Sequence, residues 1–218
     1  MGSASDGATT PRHPLFARAW VRLSAQLDRR GGKAHRARLL AGLRGEVVEV
    51  GAGHGLNFAH YPPTVTRVVA VEPEAHLRHL AADAAAGAPV PVEVVDATSE
   101  ALPLADGSVD AAVTSLVLCS VTDPDAALAE IARVLRPAGV LRLFEHVAAH
   151  SRAHRGLQRA LDATVWPRLG GNCHTARDPV SRLDAHGLAL ADVERFRFPN
   201  ARLPMPTSPH VLAEATAP

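Results

Sequence analysis

Cysteine is almost missing from this chain: 218 residues hold two, Cys119 and Cys173. Two cysteines cannot build the disulfide framework that staples small secreted domains. An excess of charge of one sign is missing as well. Lys and Arg number 23 and Asp and Glu 22, for a formal net charge of +1. That balance offers no electrostatic footprint for DNA, RNA or an anionic membrane surface, so no nucleic-acid or membrane partner is expected. No apolar run reaches the length of a membrane span. Met1 to Thr10 lacks the apolar stretch of a signal peptide. Residues 1–13 therefore read as a disordered lead-in, and the default location is the cytoplasm. Ala, Arg, Gly and Pro are plentiful and Lys is scarce, which fits a GC-rich bacterial genome.

What is present is an ordinary globular complement, 47% hydrophobic, long enough for one α/β domain. Phe16, Trp20, Leu23 and Leu27 fall at helical spacing, which predicts an amphipathic helix over 14–30, broken at Gly31-Gly32. A second helix follows over 33–42. β-branched runs then predict strands at 47–50, 67–72, 92–95, 109–118 and 139–146. Pro73 suits the first position of a helix running to 86. Asp123-Pro124 marks another helix start, and Pro137-Ala138-Gly139 ends that helix. Strands alternating with helices mean a parallel sheet with right-handed crossovers. After 146 the rhythm changes. Helices are expected over 150–168 and 178–186, and two last strands at 193–198 and 210–215. One domain is expected over 14–218: a helical cap at 14–44, a core at 45–146, an insert or lid at 147–186, and closing strands at 187–218.

The strongest local signal is Glu49-Val50-Gly51-Ala52-Gly53-His54-Gly55, between a strand and a helix. Its glycines permit a sharp turn and leave room for a ligand against the main chain. A dinucleotide loop would place its third glycine where Leu56 stands, and the Lys-Ser/Thr of a P-loop is missing. Glu72 ends the second strand about 20 residues past the loop, where a carboxylate can accept both hydroxyls of a ribose. The competing role for Glu72 is the N-cap of the next helix.

This loop, with Val71-Glu72-Pro73 and Leu135-Arg136-Pro137-Ala138-Gly139, resembles the class I S-adenosylmethionine-dependent methyltransferases. Further stretches resemble the thiol S-methyltransferases among them: Asn57-Phe58 with Tyr61-Pro62, Ser115 to Val121, Glu145 to Ala149, and Asn172 to Arg177. The resemblance implies a Rossmann-like, doubly wound, seven-stranded sheet, mostly parallel with an antiparallel last strand. It implies S-adenosylmethionine as cofactor, lying across the carboxyl ends of the strands. Donor contacts would come from Glu49, Gly51, Ala52, Gly53, Gly55, Asn57, Glu72, Pro73, Leu116 and Cys119. For adenine the relatives use an acid after the third strand. Counting back from Leu102-Pro103 puts Thr98 there, so Asp96, Ala97, Thr98 or a backbone carbonyl are all candidates.

The partner implied is a small-molecule acceptor, with a thiol as the best guess, and the chain is expected to be a monomer or homodimer. The alternatives are methylation of a quinone, phospholipid or natural-product intermediate, or a non-catalytic donor-binding module. His146 would take the acceptor's proton or orient it, or else only hydrogen-bond a loop, and Cys119 reads as a small buried residue. Tyr61 could sit near the donor or pack. Phe16 and Trp20 read first as core residues. His146, His150 and His154 recur at four-residue spacing, but no Cys or carboxylate joins them at ligand spacing, so no metal is expected.

Overall fold

A computed structural model describes residues 14–200 and 205–218. The lead-in expected over 1–13 lies outside the described residues. The valine-rich runs form β1 (Gly45–Val50), β2 (Val65–Val71), β3 (Val92–Val95) and β4 (Val109–Ser115), followed by β5 (Leu135–His146), β6 (Ala189–Arg197) and β7 (Pro209–Thr216). Among the described residues these seven strands make one sheet in the order β3-β2-β1-β4-β5-β7-β6. Its pairings from β3 through β5 are parallel. Only β7 runs against its neighbours, β5 and β6. This is the doubly wound, Rossmann-like sheet with one antiparallel strand.

Both faces of the parallel centre of the sheet are covered, as a parallel sheet requires, while the edge strand β6 is largely exposed. Side chains alternate along each strand. Val47, Val68, Ala111 and Val113 turn to one face, where they pack with Leu39 and Leu40 of α2 (Lys33–Leu40) and Ala81 of α3 (Ala75–Ala85). Val48, Val69 and Ala112 turn to the other, against Leu128 and Ile131 of α4 (Pro124–Val134) and against Leu183 and Leu188. The start of α4 is as expected: Asp123 Oδ1 accepts from the N–H groups of Asp125 and Ala126 at 2.9 and 3.1 Å, with Pro124 at the first turn.

Several boundaries differ from the sequence reading. The first helix, α1 (Pro14–Leu27), ends three residues early, and a kink with Gly31 at φ 115° joins it to α2. Pro73 does not open α3. Glu74 caps that helix instead, its side chain accepting from His76 N–H at 3.3 Å. β4 stops at Ser115 because Leu116 takes φ 61° and turns the chain off the sheet. Residues 135–138 belong to β5, not to a helix end. The helix expected over 150–168 is split into α5 (Arg152–Asp162) and α6 (Trp166–Leu169), since Pro167 cannot donate into a continuing helix. The 178–186 segment is two single tight turns, 180–182 and 184–186, with Leu183 buried between them.

Candidate active site

The strand order reverses between β1 and β4, and the loops after their carboxyl ends part there. Open α/β sheets bind ligands at this crevice. Here it widens into a cavity of about 720 Å³, walled by the loops after β1, β2 and β4, the end of β5, α1 and the insert.

The glycine loop forms the floor. Gly51, Gly53 and Gly55 all have positive φ, at 68°, 59° and 81°, a region that costs any other residue strain. Two of them are needed for packing. A Cβ on Gly51 would lie 2.6 Å from Val117, and one on Gly55 would lie 2.8 Å from Ala84 and Phe58. Gly53 differs: a Cβ there would meet nothing within 4 Å, because the position faces the cavity.

Two buried carboxylates stand beside the loop. Glu72 Oε2 accepts from Gly53 N–H at 2.8 Å, and its Oε1 accepts from Glu74 N–H at 2.9 Å. Burial pushes its pKa up to about 7, against the pull of those two bonds. Glu49 accepts from Tyr61 Oη at 2.7 Å and from Asn57 Nδ2 at 2.9 Å, and burial pushes it to about 7 too. Tyr61 thus supports Glu49 from behind. Asn57 Oδ1 accepts in turn from Arg36 at 2.9 Å, and Arg36 forms a buried ion pair with Asp28 at 3.0 Å. The same guanidinium donates to Ser115 Oγ at 3.0 Å, so one cation links the kink, the glycine loop and the end of β4.

The opposite end is built from distant pieces. Glu145, fully buried in β5, accepts from the N–H groups of Val117 and Leu118 and holds the turn after β4. Arg177 reaches under the same turn to the carbonyls of Leu118, Cys119 and Val121 at 3.2, 3.1 and 2.7 Å. Asn172 Nδ2 donates to Ser120 O at 2.8 Å, and His174 N–H to Cys119 O at 2.8 Å. These bonds clamp the 172–177 loop against the turn. His146 Nε2 then lies 3.2 Å from Cys173 Sγ. Cys119 beside it, together with burial, pushes the Cys173 thiol up. Phe16 and Trp20 stack at 5.9 Å over the opening and line it, so they are cavity residues and not core.

Of the residues singled out from sequence, Glu49, Gly51, Ala52, Gly53, Asn57, Glu72, Pro73, Thr98, Leu116, Cys119 and His146 all line the cavity. Gly55 sits behind it, as a packing position. Asp96 turns away: its carboxylate pairs with Arg78 at 2.7 Å and is 66% exposed. Ala97 packs against the core. Thr98 is thus the member of the adenine trio that reaches the cavity. Cys173, in the stretch singled out by resemblance, lines the cavity, whereas the building roles of Arg36 and Glu145 were missed. A charge inside the buried strand run Leu143-Phe144-Glu145 and an arginine on the apolar face with Leu39 and Leu40 were the available signals.

Residues 48–143 match a methyltransferase-domain family model. The chain is 34% identical over 181 residues to the thiol S-methyltransferase TMT1B of Homo sapiens, covering 81% of this chain and 73% of that protein. It belongs to the class I S-adenosylmethionine-dependent methyltransferases. The methyltransferase is also 29% identical over 201 residues to the ubiquinone/menaquinone biosynthesis C-methyltransferase UbiE of Syntrophotalea carbinolica, covering 88% and 83% of the two chains. A solved geranyl diphosphate methyltransferase shares its fold, with TM-score 0.66 at 17% identity and coverage of 91% and 90%. The residues present fit the donor. The methyltransferase leaves open space at Gly53, and two buried carboxylates, Glu49 and Glu72, line the cavity, a chemistry that suits a ligand with a ribose diol and positive charge. No helix among the described residues is long and apolar enough to cross a membrane.

Proposed function

We propose that this methyltransferase acts on the sulfur of a small-molecule thiol. The observation that carries the reading is the chemistry of the end opposite the donor loop. It presents His146, Cys119 and Cys173 between the aromatic walls of Phe16, Trp20 and Trp166. An apolar thiol fits those walls, and its S–H is the group such side chains can handle. The name of the human relative supports the same acceptor.

The donor, when bound, supplies an activated methyl group and its own leaving group. The chain's task is position and environment. Glu72 holds the ribose diol while Gly53 N–H keeps the carboxylate aimed. Glu49 and Asn57 line the methionine side of the loop. Thr98 offers a hydroxyl at the adenine end. Phe16 and Trp20 exclude water above the reacting atoms. Holding acceptor and methyl in line supplies about 7–11 kcal/mol of the barrier. A free thiol is already a few per cent ionised near neutrality, so only modest help is needed at the acceptor end.

The test is methyl transfer to hydrogen sulfide and a series of alkyl thiols, read by mass spectrometry, with Gly53→Arg as the control. Methylated thiols from the wild type alone are expected. Donor binding without any methylated thiol would reject the acceptor. Carbon methylation of a quinone precursor would then be tried next, since the similarity to the quinone C-methyltransferase and the apolar walls favour it.

A further inference from the structure

Three ligand atoms converge at the acceptor end. Cys119 Sγ, a ring nitrogen of His146 and Cys173 Sγ all lie within 4.8 Å of one another. They arrive from the turn after β4, the end of β5 and the loop after α6. A tetrahedral zinc ion, with Zn–S near 2.3 Å and Zn–N near 2.0–2.1 Å, would set such atoms about 3.5–3.8 Å apart. His146 Nε2 and Cys173 Sγ, now in direct contact at 3.2 Å, need to part by only a few tenths of an ångström to admit the ion. Backbone and side-chain bonds hold the cluster from behind. Arg177 and His174 fix the Cys119 carbonyl at 3.1 and 2.8 Å, and Trp166 Nε1 donates toward Cys173 Sγ at 3.4 Å. An N–H aimed at a ligating sulfur is the kind of outer contact that tunes metal sites. All three residues line the cavity, so the cluster is closed on the protein side and open toward the acceptor. Two cysteines and a histidine with one open position is a catalytic zinc arrangement, not a structural one.

We propose that Cys119, His146 and Cys173 form a site for a thiophilic divalent cation, zinc by its chemistry, whose open fourth position takes the sulfur of the acceptor. The fourth-position clause rests on the thiol reading above; the cation site itself does not. The charges balance. Both cysteines lose their protons to solvent as the ion binds, leaving a neutral centre. The acceptor's S–H proton also goes to solvent on coordination, leaving one net negative charge beside a cationic donor. In the transfer, a sulfur lone pair forms the new S–CH3 bond while the donor's methyl–sulfur bond breaks, its electron pair staying on the donor's sulfur. The product is a neutral thioether, a weaker ligand than the thiolate, which frees the position.

The experiment is titration of the reduced, chelator-stripped full chain with Co2+, followed by displacement with Zn2+. One equivalent should bind with the thiolate charge-transfer and tetrahedral d–d absorption of cobalt, and an added alkyl thiol should shift those bands. Cys119→Ser, Cys173→Ser and His146→Gln should each weaken binding by about a hundredfold or more, beyond the losses typical of outer-shell changes. Wild-type far-ultraviolet circular dichroism with cooperative thermal unfolding identifies the variants that remain folded. No tetrahedral spectrum at one equivalent, or a spectrum that survives the Cys119→Ser/Cys173→Ser double change, overturns the site. Thiols that are methylated but leave the cobalt bands unmoved overturn the fourth-position role. Cobalt binding with no thiol methylated sinks the thiol reading and leaves the cation site standing.

Discussion

Gly53 donates its N–H to Glu72 Oε2 at 2.8 Å, fastening the tip of the glycine loop to the end of β2. The bond joins the one loop position with open space around it to the carboxylate assigned to the ribose. On the proposed ribose role of Glu72, donor recognition and loop shape are one structural event, while Gly51 and Gly55 answer to packing.

Two substitutions should separate those roles. Gly53→Arg fills the cavity floor, and donor binding by calorimetry should fall by about a hundredfold or more, with a modest stability loss of about 1–2 kcal/mol for an L side chain at φ 59°. Gly55→Ala should instead reduce stability by more than its φ penalty, because its Cβ has no room beside Ala84 and Phe58. Denaturant unfolding of both variants checks this. Equal destabilisation with equal donor affinity would contradict the division.

Acid should weaken donor binding. Glu72 titrates at about 7 and accepts ribose hydroxyls best when ionised, so affinity should decline toward about tenfold per unit as pH falls below 7. Glu72→Gln should flatten that profile. Stability of the donor-free chain should move the other way. The folded pKa values of Glu49 and Glu72, each about 7, lie above the ordinary 4.5. Their stabilising contribution is therefore full below 4.5 and lost as pH rises through 7. Urea unfolding without donor should show a decline on the order of a few kcal/mol from acid toward pH 8, and a flat profile would count against buried, unpaired carboxylates.

The donor half was legible because its parts are close in sequence. Glu49, the glycines, Asn57 and Glu72 lie within one strand-loop-helix-strand unit, so the family resemblance carries onto them residue by residue, and all but Gly55 line the cavity. The adenine contact was harder: Asp96 looks suitable by type, yet Arg78 claims it on the surface. The acceptor half was not legible as a cluster. Cys119, His146 and Cys173 are 27 residues apart at each step of the chain order, and only the fold removes that separation. Counting histidines at four-residue intervals therefore found His150 and His154, and missed the two sulfurs. Helix ends were misplaced where a single contact decides, as at Glu74 with His76 N–H or at Pro167.

Arg36→Met should cost about 3–5 kcal/mol, since it leaves Asp28 buried without its partner. It also removes the donor to Asn57 Oδ1, so donor affinity should fall with it. Thermal unfolding and calorimetry on one preparation test both parts. Restoration of stability by a second change, Asp28→Leu, would show that the buried charge is the cause.

His146→Ala should lower methyl transfer by at least about tenfold while donor affinity stays within a few-fold of wild type. Single-turnover assays at saturating donor measure the first and calorimetry the second. Loss of both would mean that the end of β5 supports the whole cavity, not its acceptor end.

The two halves of the cavity are wired differently, and that sets how the molecule can be retooled. The proposed donor site is a short cassette between β1 and α3, where Glu49, Asn57, Tyr61 and Glu72 each hydrogen-bond another member. The acceptor wall is assembled from α1, the turn after β4, the tip of β5 and the insert, and residues such as Phe16, Trp20 and Met205 meet it mainly through apolar surface. A mutant library confined to those apolar positions could thus shift substrate scope widely while the methyl donor continues to seat as before.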